Sequence, residues 1–98
     1  MELRLLSWDP AKNESNRRKH GVSFEEACHV FRDPLHISLQ DRVEGGEQRW
    51  QTLGRVGDAI VLLIVHTWSD VDNGEEHIRI ISARKADRTE RRRYEEAS

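Results

Sequence analysis

Ninety-eight residues, 36% hydrophobic and 35% charged, suffice for one domain (residues 1–98) built as a layer of helix on one sheet. A single cysteine, Cys28, excludes an intrachain disulfide and a thiolate metal cluster, and a formal net charge of −2 speaks against a stand-alone nucleic-acid binder. The opening residues are too few and too charged for a signal peptide, and no long apolar run follows, so a cytoplasmic protein without membrane attachment is expected.

Leu3 to Trp8 reads as a short opening strand. Asp9 can cap a helix whose first position takes Pro10, and that helix runs to about His20 and stops at Gly21. Ser23 and Glu26 form a capping box ahead of Phe24, Ala27, Cys28 and Phe31, an apolar stripe at helical spacing that ends at Asp33-Pro34. Strands follow at His36–Gln40, Glu47–Gly54, Ala59–Val65 and His77–Ala83, with turns at Glu44-Gly45-Gly46, Val56-Gly57-Asp58 and Asn73-Gly74. The third of these is apolar on both faces, as suits a central strand covered on both sides. Asp87 and Glu90 open a last helix from about Arg88 to Glu96. The order β-α-α-β-β-β-β-α predicts an α+β fold: an antiparallel sheet with its helices on one face.

The five histidines lack the spacing of a zinc site, Gly45-Gly46 lacks the lysine of a phosphate loop, and no nucleophile elbow is visible, so no metal and no cofactor are expected. Polar residues on strands are more informative. Alternation puts Glu47, Arg49, Gln51 and Leu53 on one face, opposite Gln48, Trp50 and Thr52. It also separates His77, Arg79, Ile81 and Ala83 from Glu76, Ile78, Ile80, Ser82 and Arg84, and leaves His66 at the end of an aliphatic strand. A rigid patch of Arg, Glu and His is what metal-free RNA cleavage requires. A base takes the ribose 2′-OH proton, an acid protonates the departing 5′ oxygen, and arginine stabilises the charge on phosphorus. Structural roles stand beside each of these. His66 can be a hydrogen-bonded core residue, Arg49, Arg79 and Glu76 cross-strand ion pairs, and Arg88 to Arg93 a solvated helix face. Trp8, Trp50 and Trp68 suit packing, and Cys28 suits the core.

The segments Trp8–Asn13, Asn16–Ala27 and Val30–Pro34 resemble the N-terminal signature of the BrnT family of bacterial toxins, and Arg49–Gly54, Val65–Thr67 and Ile78–Arg84 resemble its strand motifs. Ala86 with Arg88-Thr89-Glu90-Arg91 is similar to its closing helix. The resemblance implies a RelE-like fold and a type II toxin that cleaves RNA without a metal and arrests growth. It implies a BrnA-type antitoxin with a ribbon-helix-helix domain, DNA being bound only through the toxin–antitoxin complex. The family's polar positions fall on Arg49, Glu76 and Arg84, and the alternation argument adds Glu47, His66 and Arg79. The expected roles are Glu47 or Glu76 as base, His66 as acid, and Arg49 with Arg84 on the phosphate. Lys19, His20, Arg88 and Arg92 are expected to steer RNA or meet the antitoxin. The chain departs from the family at Gln48, where an acidic residue often precedes the Arg-Trp pair.

Two other readings compete. One is a catalytically weak or inactive antitoxin-binding module acting in promoter autoregulation, which the Gln48 departure favours. The other is a DNA-binding regulator, which the negative net charge disfavours.

Overall fold

A computed structural model describes residues 4–71 and 74–97. Leu3 of the expected first strand and Asn73 of the expected turn lie outside them. The elements are β1 (Arg4–Ser7), α1 (Pro10–His20), α2 (Phe24–Ala27) running into a 3-10 helix (Cys28–Arg32), β2 (Ile37–Glu44), β3 (Glu47–Val56), β4 (Ile60–His66), β5 (Ser69–Val71), β6 (Glu75–Lys85) and α3 (Arg88–Ala97). The helix starts and stops follow the local chemistry. Asp9 accepts the Ala11 N–H at 2.9 Å, and Gly21 turns left-handed at φ 72° while its N–H reaches the Arg17 carbonyl. Asp87 and Glu90 form a complete reciprocal capping box at the head of α3. No described helix is long and apolar enough to cross a membrane.

The strands form one sheet in the order β1-β6-β4-β3-β2, with β5 also paired to β6. All pairings are antiparallel except β1 with β6, which run parallel. The short β5 was not expected from the sequence, nor was the parallel edge.

The helices divide between both faces instead of sharing one. Val22, Phe24, Ala27 and Val30 of the α1–α2 segment pack on Leu62, Ile64, Ile80 and Ala83, and Tyr94 of α3 packs on Leu53, Val61 and Leu63 of the other face. The physical reason lies in β4: its apolar residues alternate sides, so each face exposes oil until a helix covers it.

Simple alternation fails in β6. Val65 pairs with Ser82 but His66 pairs with Ile80, so Ile81 is an extra residue, a β-bulge. Beyond it the parity reverses. Ala83 therefore shares the α1–α2 face with Ile80, and Arg84 shares the α3 face with Arg79. Beyond the last residue paired to β1, the buried Asn16 of α1 takes over the open edge of β6. Its amide donates to the Ala83 carbonyl at 2.7 Å and accepts the Ala83 N–H at 3.1 Å.

Candidate active site

Tyr94 and the rest of α3 cover only the Leu53 end of their sheet face. The remainder of that face is left uncovered by α3. Register places Leu39, Gln51, Val65 and Ser82 in one row across it, with Ile37, Leu53, Leu63 and Arg84 in the row under α3. Along β3 the open face continues through Arg49 to Glu47. Arg79 reaches across from β6 to Glu47, Nη2 to Oε1 at 3.0 Å, with both side chains half exposed. Gln51 donates to the Asp41 carboxylate at 3.2 Å.

Arg49 differs from its neighbours. Its side chain is 16% exposed, and its Nε is buried without a hydrogen-bond partner. The nearest carboxylate oxygen, on Glu44, lies at 4.0 Å, close enough for attraction and too far for a hydrogen bond. Leaving such a donor buried and unpaired costs roughly 1–3 kcal/mol. It is the one buried, unsatisfied side-chain nitrogen or oxygen among the described residues.

Arg84 is already engaged. Its two terminal nitrogens meet the Glu90 carboxylate at 2.8 and 2.9 Å. That contact raises the arginine's pKa above its ordinary value and holds the Glu90 carboxyl below the usual carboxylate value. Arg84 thereby fastens α3 to the end of β6.

Two expected members lie elsewhere. His66 sits on the α1–α2 face, fully buried, because it alternates with Val65 and shares a row with Trp50 and Ile80. Its Nδ1 donates to the Thr67 carbonyl at 2.9 Å, and its Nε2 meets the Thr52 hydroxyl at 2.6 Å, which in turn meets Ser38. Burial pushes its pKa below the ordinary value. Both ring nitrogens are engaged on the side of the sheet away from the open face. Glu76 also belongs to the α1–α2 face, where its carboxylate accepts from Arg4 at 3.0 Å. The expected acid, His66, and one of the two expected bases, Glu76, therefore lie on the face opposite Arg49.

The histidine that does share the open face is His77, two residues from Arg79 on β6, with Nε2 2.8 Å from the Ser7 hydroxyl. Alternation already placed it beside Arg79, and its position next to the first strand is what the sequence did not reveal. Lys19 and His20 lie in the last turn of α1, on the opposite side of the sheet from Arg88 and Arg92. The latter two line an outward groove of α3 with Arg91 and Glu95. Gln48 donates to the carbonyls of Asp41 and Arg49 at 2.7 and 2.8 Å, bracing the bulge between Gln40 and Val43. A carboxylate there could donate to neither. Cys28 is half-buried against the core, and burial pushes its thiol pKa up, away from nucleophilic character. Among the described residues no three His, Cys, Asp or Glu side chains converge as metal ligands.

The fold is similar to that of the Brucella abortus ribonuclease toxin BrnT. The 1.1 Å crystal structure of that protein superposes with a TM-score of 0.59 at 20% identity, over 88% of this chain and 99% of that one. No curated protein matches the sequence significantly. The family described as "Ribonuclease toxin, BrnT, of type II toxin-antitoxin system" matches residues 8–90. With most of its length so matched, the chain belongs to the BrnT family of type II toxins.

Proposed function

We propose that this chain is a toxin that cleaves RNA by acid–base chemistry on the open face of its sheet, without a metal, and is neutralised by a BrnA-type antitoxin in the cytoplasm. Glu47 takes the proton of a ribose 2′-OH, and the 2′ oxygen attacks phosphorus. The bond to the 5′ oxygen breaks, and protonated His77 gives that oxygen its proton. The products are a 2′,3′-cyclic phosphate and a 5′-OH. Arg49 and Arg79 stabilise the charge that builds on the phosphate oxygens, and the arginines of α3 hold the neighbouring backbone. Arg84 acts through Glu90 as a positioning residue.

The observation that carries this reading is the buried, unpaired Nε of Arg49, flanked by the Glu47–Arg79 pair. A guanidinium held without a hydrogen-bond partner at Nε is ready for an anion.

Purified chain in excess chelator tests it, beside Arg49→Ala, Glu47→Gln and His77→Gln. The wild type should leave cyclic-phosphate ends, with each variant slower by about 10²-fold or more. Undiminished cutting by Arg49→Ala would remove Arg49 from the site. The separation of His66 and Glu76 from the open face favours a second reading, an antitoxin-binding module with little catalysis. No cutting by wild type, together with tight antitoxin binding, would establish that reading instead.

A further inference from the structure

On the other side of the sheet a cleft of about 410 Å³ opens, lined by Trp50, Trp68, Ser69, Asp70 and Glu76. The indoles of Trp50 and Trp68 meet edge to face, with centroids 5.2 Å apart and planes at 72°. Trp68 keeps 36% of its surface exposed. Asp70 pairs directly with Glu76 across the β5–β6 ladder, so two carboxylates share one side of it. Arg4 takes Oε2 of Glu76 and so relieves one of them. Asp70 makes no ion pair among the described residues.

Aromatic walls with a carboxylate at the rim attract a cation with a flat or alkyl body. A guanidinium fits best: it stacks on indole faces and offers a two-point contact to a carboxylate. RNA is poorly matched, because its phosphates would meet Asp70 and Glu76. We propose that this cleft receives an arginine side chain of the antitoxin, the guanidinium lying against Trp50 and Trp68 and reaching Asp70 and Glu76. The site thus gives these two carboxylates a basic partner on the side of the sheet away from Arg49 and Arg79. Naming the antitoxin rests on the toxin reading above; the cation site itself does not.

The indole N–H resonances of Trp50 and Trp68 report the cleft by NMR. Trp8, packed on Phe24, is the internal control. Titration with N-acetyl-arginine amide should move Trp50 and Trp68 alone, with roughly millimolar affinity. The uncharged citrulline analogue and the Asp70→Asn variant should each bind about tenfold more weakly. If a short RNA moves these resonances and the arginine amide does not, the cleft is a base-stacking subsite and the proposal fails. Silence toward both also overturns it.

The partner is tested with the antitoxin itself. Asp70→Asn and Trp68→Ala should weaken the complex at least about tenfold while the free variants cut RNA as wild type does. Antitoxin binding unchanged in both variants would overturn the partner assignment. Arginine-amide binding by a chain that cuts no RNA would leave the cleft standing and reject the ribonuclease reading alone.

Discussion

The Glu90 carboxylate makes three contacts at once: both terminal nitrogens of Arg84, at 2.8 and 2.9 Å, and the backbone N–H of Asp87 at 2.9 Å. One side chain thus closes the cap of α3 and ties that helix to the end of β6. Since the pair lies beside the proposed active face, Arg84 can influence cleavage without touching the phosphate.

Arg84→Ala and Glu90→Gln should each cost about 1 kcal/mol, the value of a charge-assisted hydrogen bond discounted for solvent at this half-open pair. The melting midpoint should drop by roughly 4–8 °C. Because the folded-state pKa of Glu90 is lowered, the contribution is complete above the unfolded value of 4.5 and is lost as pH falls through the folded value. Thermal melts at pH 7 and pH 3 check this; the wild type and Arg84→Ala should converge at the lower pH. Well below the midpoint Arg84→Ala should still cut RNA. A cleavage loss equal to that of Arg49→Ala, at unchanged stability, would move Arg84 onto the phosphate.

Arg49→Met separates stability from activity in the opposite sense. Removing a buried, unpaired N–H relieves a cost, so the melting midpoint should hold or rise. RNA cleavage should fall by about 10²-fold. A large loss of stability would mean that Arg49 works as a structural ion pair with Glu44.

His66 imposes a pH dependence from inside the sheet. Its folded-state pKa lies below the ordinary 6.5, so protonation favours the unfolded chain. Stability is complete above about pH 6.5 and declines as pH falls below it, by at most about 1.4 kcal/mol per unit from this group. Urea unfolding at pH 7.5, 6.5 and 5.5 measures the slope. His66→Gln should flatten it, and an unchanged slope in that variant would assign the dependence to another group.

Gly54 is required by close packing. A Cβ there would lie 2.6 Å from Val30 Cγ1 and 3.0 Å from the Val30 carbonyl, driving the 3-10 helix off β3. Gly54→Ala should cost about 2 kcal/mol, visible as a drop of roughly 10 °C in the melting midpoint. A neutral substitution would show that the 3-10 helix slides easily over the sheet.

Caps, turns and strand periodicity were legible in the sequence because they are local: Asp9, Gly21, Ser23 and the Asp87–Glu90 box behave as their chemistry dictates. The pairing of the β3 row Glu47–Arg49–Gln51 on one face was legible for the same reason. What the sequence left unread is non-local. One bulge residue, Ile81, reverses the parity of β6 and carries Arg84 to the face of Arg79. His66 looked available because nothing in its own strand announces that Thr52 and Phe31 enclose it. Glu76, a position supplied by the family resemblance, meets Arg4 from 72 residues away, a contact that no local pattern announces.

The place of β6 in the sheet carries a consequence for synthesis. It is the last strand made, yet it lies between β1 and β4, and the contact of Arg4 with Glu76 closes a loop across 72 of the 98 residues. Loop closure of that length must precede the contacts that reward it. A nascent chain stopped before β6 leaves β1 without a neighbour and Glu47 without Arg79. The sheet and the Glu47–Arg79 pair can therefore be completed only once β6 has been made.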